Sequence, residues 1–161
     1  HGLYSIGLCE KYANISASII DSKYAMPLLK KNIAAAKLGG RIRLITGDVL
    51  KHDFRETFDV ILLFNVLHEH DEKYNLRLIG RIRGLLGEKG RLIILDNIAE
   101  KKPTAFINLV SNTYGLMFYH FLGGQNYRFD QIRGWLSSSG FEKVTRKYLL
   151  RTGFSLVTAY R

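Results

Sequence analysis

Cysteine is nearly absent from the 161 residues: Cys9 is the only one. A lone thiol excludes an intrachain disulfide and any zinc site built on several thiolates, and it is expected to act as a small buried hydrophobe. No apolar run approaches the roughly 20 residues that a membrane-spanning helix needs. The opening His1-Gly2-Leu3-Tyr4 has neither the basic segment nor the apolar core of a signal peptide, so a cytoplasmic protein without membrane attachment is expected. Repeats, low-complexity tracts and linker-like stretches are lacking too, which at this length predicts one domain spanning residues 1–161. Acidic residues are few, 14 against 24 basic ones, and the formal charge of +10 raises the question of a nucleic-acid partner. That charge is dispersed: Arg41, Arg43, Arg77, Arg81, Arg83, Arg91, Arg146 and Arg151 stand singly among apolar residues, as on solvated faces. No nucleic-acid partner is favoured.

What is present is an alternation of helical and buried extended runs. Residues 3 to 12 read as a helix and Asn14 to Ile20 as a short buried strand closed by Asp21. Pro27 suits a helical first turn, and Met26, Leu29, Ile33 and Ala36 recur at helical spacing until Gly39-Gly40. Arg41 to Ile45 is the next strand. Phe58 to Phe64 is a nearly continuous apolar run, expected to be covered on both faces and central in a parallel sheet. Tyr74 to Leu86 carries Leu78, Ile79, Ile82, Leu85 and Leu86 on one stripe of an amphipathic helix, with Gly87 and Gly90 punctuating its end. Arg91 to Leu95 is a buried strand ending at Asp96. Thr104 to Leu122 is long and apolar, the composition of a core helix, although its aromatics fit a pocket wall as well. Asp130 to Ser139 is a short helix, and Glu142 to Tyr148 and Phe154 to Tyr160 form a terminal hairpin with a turn at Arg151-Thr152-Gly153. The fold class expected is α/β: a Rossmann-like, doubly wound, mostly parallel sheet with a C-terminal antiparallel hairpin.

In such sheets ligands bind beyond the carboxyl ends of the strands. The residues there are polar: Asp21, Gly47-Asp48, Asn65 through Asp71, and Asp96-Asn97. Asp21 is placed to accept hydrogen bonds from ribose hydroxyls, or equally to cap a helix beginning near Ser22. Asp48 is a turn residue after Gly47, or a carboxylate accepting an adenine amino group while Val49 and Leu50 pack on the ring. His68 reads as a helix-proximal surface histidine beside Glu69 and His70, or with His70 and Asp71 as a metal site.

The order of Gly47-Asp48, the apolar strand Phe58 to Phe64, the turn Leu67-His68-Glu69-His70, an amphipathic helix, and the strand Gly90-Arg91-Leu92 to Asp96 resembles small-molecule O-methyltransferases. That family includes the caffeate, acetylserotonin and hydroxyneurosporene enzymes, which are class I and S-adenosylmethionine-dependent. His1-Gly2-Leu3-Tyr4 resembles the end of their Gly-rich cofactor loop, and Ser138 to Val144 the Gly-Phe turn before their last hairpin. The resemblance implies S-adenosylmethionine as cofactor, a small, aromatic acceptor, and cofactor contacts from Gly2, Asp21, Asp48, Val49 and Asn65. It makes His68 the general base, which disfavours the metal site, and Asp96 the acid that flanks or orients it. The chemistry agrees, since methyl transfer from a sulfonium needs an oxygen nucleophile and a neutral imidazole removes a hydroxyl proton near neutral pH.

The chain departs from the pattern in two places. His70 stands where the family has a tryptophan. Relatives also carry a strand and several glycines before the position of His1, and usually a helical dimerisation domain before that. The first sheet strand is therefore expected to be missing from this sequence, and unpaired strand edges leave a homodimer open. Among rivals, nucleic-acid methylation is disfavoured because Asn65-Val66-Leu67-His68 replaces an Asn/Asp-Pro-Pro-aromatic turn and Cys9 lies outside the central region. A nicotinamide oxidoreductase fits Gly2 and Asp21 but neither Gly47-Asp48 nor the hairpin. A catalytically silent methyltransferase-like domain stays open.

Overall fold

The alternating pattern resolves into α1 (Leu3–Lys11), β1 (Ala17–Asp21), α2 (Met26–Ala35) and β2 (Ile42–Thr46) in the first of two compact units, His1–Asp53. The second unit, Phe54–Arg161, holds β3 (Phe58–Phe64), α3 (Glu72–Leu85), β4 (Leu86–Asp96), α4 (Ala105–Leu122), α5 (Phe129–Ser138), β5 (Glu142–Leu149) and β6 (Phe154–Tyr160). The computed structural model describes residues 1–100, 104–150 and 153–161, so Arg151 and Thr152 of the expected hairpin turn lie outside the described residues.

In the first unit β1 and β2 run parallel, with Ala17 opposite Ile42 and Asp21 opposite Thr46. A parallel pair needs a crossover, which α2 supplies, with Pro27 in its first turn where the absent N–H leaves no bond unmade. Ile6 and Cys9 of α1 meet Ile33, Leu38 and Ile42 in one apolar cluster, and Cys9 is fully buried as expected. The strand expected from Asn14 starts three residues later, because Ile15 N–H first closes a turn on Tyr12 O at 3.2 Å. The charge pattern misread Arg41. Its guanidinium donates from Nη2 to Tyr12 O at 2.6 Å and from Nε to Ile15 O at 3.0 Å, fastening the turn between α1 and β1.

The second unit is a four-stranded sheet in the order β3-β4-β6-β5. β3 and β4 are parallel, while β6 pairs antiparallel with both β4 and β5, so the hairpin contributes one strand against the common direction. The α/β class and the closing hairpin are thus as expected. β3 differs: it lies at the edge of this sheet rather than at its centre, and only Leu63 in it is buried. A continuous apolar run reports what a strand could bury, not which strand pairs with it. Among the described residues no strand pairs with the other edge of β3 or of β1. Gly87 and Gly90, expected to follow the helix, lie inside β4, where the register with β3 jumps between Phe58–Leu86 and Val60–Arg91.

The stripe on α3 is as expected, with Leu78, Ile79, Ile82 and Leu85 buried, and Asp71 caps the helix by accepting from Tyr74 N–H at 2.7 Å. α4 is not a core helix. Ser111 is its only buried residue, and Phe106 and Phe121 are 74% and 75% exposed. Apolar composition on every side reads as core from sequence, but it does not report what covers the helix. No helix among the described residues is long and apolar enough to cross a membrane.

Removing the Arg41 guanidinium leaves the partly buried Ile15 carbonyl without its side-chain donor and takes one of two donors from Tyr12 O. Arg41→Ala is expected to lower unfolding free energy by about 1–3 kcal/mol in urea denaturation; a loss below about 0.5 kcal/mol would return Arg41 to the solvated charges.

Candidate active site

Parallel pairing aligns the carboxyl ends of β3 and β4, with Phe64 opposite Leu95. The next residue on β3, Asn65, turns the chain in the left-handed region at φ +57 and ties its N–H to Leu95 O at 2.8 Å. Asn tolerates that conformation better than most side chains. The turn continues as a 3₁₀ segment, Leu67–Glu69, which sends His68 inward. His68 is 7% exposed and Asp96, the last residue of β4, is 3% exposed. His68 is therefore no surface histidine.

The imidazole Nδ1–H donates to Asp96 Oδ1 at 2.6 Å. Asn97 N–H donates to the same oxygen at 2.8 Å, and Leu67 N–H donates to Oδ2 at 3.1 Å. Both carboxylate oxygens already accept from the main chain, so Nδ1 is the donor and Nε2 is the nitrogen that can take a proton. The ring lies flat against Phe118 of α4, with centroids 3.9 Å apart and planes 17° apart. The aromatic helix thus meets the histidine, through a face rather than through a core.

Further contacts fix this corner. Ser111 Oγ donates to Asn97 Oδ1 at 2.8 Å and Asn126 Nδ2 donates to Ser111 O at 2.9 Å, anchoring α4 to the end of β4. Gly124 passes so close to the turn that a Cβ there would come within 2.0 Å of His68 O, so no other residue fits. Asn75 Nδ2 donates to Leu67 O at 2.9 Å and to His70 O at 3.2 Å, and Tyr127 Oη–H donates to His70 O at 2.7 Å. Sequence reading missed these residues. Asn75 left a signal, a polar residue on the stripe shared with Leu78, Ile79 and Ile82, whereas Gly124 and Tyr127 left none; Phe118 belongs to the aromatic segment that the sequence offered as a pocket wall.

In the first unit Gly2 lies near Ile19 of β1, and Gly47, next to Asp48, bonds to Asp21. Gly2 stands at φ +74, and a Cβ there would lie 2.9 Å from Leu29 Cδ2 and 3.3 Å from Ile19 Cδ1. It is the N-cap of α1 and gives that helix no side-chain cap. Gly47 N–H donates to Asp21 O at 3.0 Å, which brings the end of β2 to that of β1. Asp21 is not a helix cap: α2 begins at Met26, and the carboxylate accepts from Ser22 N–H at 2.7 Å. Asp48 Oδ1 accepts from Leu50 N–H at 2.9 Å, as a turn residue does, and Val49 is half-buried beside it.

Residues 5–142 match the O-methyltransferase domain family. The chain belongs to that family. Among curated members, 3-hydroxy-5-methyl-1-naphthoate 3-O-methyltransferase of Streptomyces sahachiroi is 23% identical over 143 residues, covering 89% of this chain and 41% of that protein. Phenazine-1-carboxylate N-methyltransferase of Pseudomonas aeruginosa is 22% identical over 124 residues, covering 76% of this chain and 36% of that protein. The fold superimposes with a TM-score of 0.87 on an O-methyltransferase family 2 protein from Planctomyces limnophilus solved in complex with apigenin, at 24% identity, covering 99% of this chain and 48% of that one. This O-methyltransferase-family chain thus spans less than half the length of each of the three.

Burial pushes the Tyr127 phenol above its ordinary pKa, opposed by hydrogen bonds with the Gln125 and Asn75 side chains and reinforced by the Asp71 and Glu72 charges. An unfolded tyrosine ionises near pH 10 while the folded one stays protonated, so the unfolded state gains relative to the native one as pH rises. Between pH 8 and pH 11 the wild type is expected to lose more stability than Tyr127→Phe in urea denaturation. Equal losses would show that the phenol titrates alike in both states.

Proposed function

We propose that residues 1–161 are the catalytic domain of an S-adenosylmethionine-dependent methyltransferase acting on a hydroxyl of a small aromatic molecule. The observation that carries this reading is the buried His68–Asp96 pair, in which Nδ1 is committed to the carboxylate and Nε2 is free to accept a proton. Asp96 holds the imidazole in one tautomer and one orientation. His68 then takes the acceptor's hydroxyl proton at Nε2, leaving an oxygen nucleophile. The hydroxyl is favoured over a nitrogen acceptor because the matching family is described as O-methyltransferases.

The cofactor, when bound, supplies a methyl group on a sulfonium. The residues present fit it. Gly2 has no side chain and leaves the first N–H groups of α1 uncapped, a setting that suits the cofactor's carboxylate. Each Asp21 oxygen has room for two hydrogen bonds, so one bond from Ser22 N–H leaves capacity for the ribose hydroxyls. Asp48 is assigned to the adenine amino group, Val49 to the ring face, and Asn65 to the cofactor end of β3.

Calorimetry with S-adenosylhomocysteine tests the reading: binding is expected, and none at millimolar ligand would favour a silent domain. Asp21→Ala should weaken that binding by about 1.5–3 kcal/mol, because an ionised acceptor is lost; unchanged affinity would remove Asp21 from the site. His68→Ala should lower turnover of a phenolic acceptor about 10²–10⁴-fold while leaving cofactor affinity nearly intact. Methylation of an amino-aromatic in preference to its phenolic counterpart would move the assignment to nitrogen.

A further inference from the structure

We infer that Asn75 is a positioning residue, one that sets the direction of His68 by holding the peptide that joins Leu67 to His68. The inference rests on His68 acting as the base. Asn75 sits on α3 one turn before Leu78 and Ile79, on the stripe where helical spacing calls for an apolar side chain. It is completely buried, a placement that costs a few kcal/mol for an amide unless its polar atoms are bonded. Nδ2 donates to Leu67 O and His70 O, the carbonyls that bracket His68, while Oδ1 has no partner among the described residues, so the bonds from Nδ2 are what hold the amide in this place.

The two bonds are not equivalent. His70 O also accepts from Tyr127 Oη–H, so that carbonyl keeps a side-chain donor without Asn75. Among the described residues, the side-chain bond to Leu67 O comes from Asn75 alone. Leu67 O otherwise accepts only the longer bond from His70 N–H, at 3.3 Å, within the turn. Leu67 N–H is already held by Asp96 Oδ2. The two peptide groups of Leu67 are therefore each pinned, one by Asp96 on β4 and the other by Asn75 on α3. The second of these peptides carries the His68 nitrogen and so fixes the direction of its Cα–Cβ bond. Asp96 orients the imidazole about that bond; Asn75 orients the bond itself. Gly124, whose absent side chain would collide with His68 O, packs against the next peptide group of the turn. A residue chosen for packing alone would be leucine, whose branched side chain has the same shape and buries no amide.

Asn75→Leu and Asn75→Ser test this in the full chain. The imidazole Nδ1–H hydrogen-bonded to Asp96 gives a downfield proton resonance, which should persist in wild type and broaden or disappear in both variants. Turnover should fall about 10²-fold, the scale of a misplacement near 1 Å, with acceptor KM and S-adenosylhomocysteine affinity unchanged. In a His68→Ala background either substitution should have no further effect on turnover, because Asn75 acts through His68. An unchanged proton resonance, or a turnover loss that adds to that of His68→Ala, would overturn the inference. If His68→Ala itself leaves turnover intact, the base assignment fails instead, and the resonance still reports on Asn75. Should neither variant fold, hydrogen exchange on wild type decides: amides of residues 67–70 as protected as those of Leu78 and Ile79 support the clamp, and rapid exchange there rejects it.

Discussion

A carboxylate that is almost wholly buried must have its lone pairs filled, and at Asp96 that requirement organises the second unit. Two backbone N–H groups and one imidazole N–H supply the bonds. Each donor comes with a structural consequence. Asn97 N–H fixes the exit from β4, Leu67 N–H draws the β3 turn onto the strand end, and His68 is left with one tautomer. Had Asp96 been a neutral amide, its oxygen and nitrogen could not accept from both sides, and the turn would lose the acceptor that faces Leu67.

The parallel register of β3 and β4 makes this convergence possible. Parallel strands end at the same level, so the residue after Phe64 and the residue after Leu95 emerge side by side. The left-handed turn at Asn65 then folds the chain across the end of β4 instead of away from it. α3, which follows the turn and leads into β4, brings Asn75 within hydrogen-bond reach of Leu67 O.

α4 stands in contrast to this tightly bonded corner. It is attached to β4 through Ser111 and Asn97 and to the histidine through Phe118, while most of its large side chains remain exposed. Its apolar residues therefore do not act as a core. The one that meets His68 restrains the imidazole plane by stacking, a contact worth about 0.5–1.5 kcal/mol between aromatic rings beyond the area buried.

The sequence by itself determined the element types, the hairpin, the family, and the positions at strand ends where polar residues collect. These follow from local spacing and from motif order, both of which a linear reading contains. Tertiary structure alone decided the edge position of β3, the exposure of α4, the carbonyl-binding role of Arg41, and the bonds that Asn75 and Tyr127 make to the His68 turn. Periodicity states which face of an element is apolar but not which neighbour lies against it. A hydrogen bond between residues 8 or 57 positions apart exists only once packing has brought donor and acceptor within 3 Å. Asp96 shows both sides: its place after an apolar strand is legible in the chain, whereas its three bonds require two parallel strands to end together.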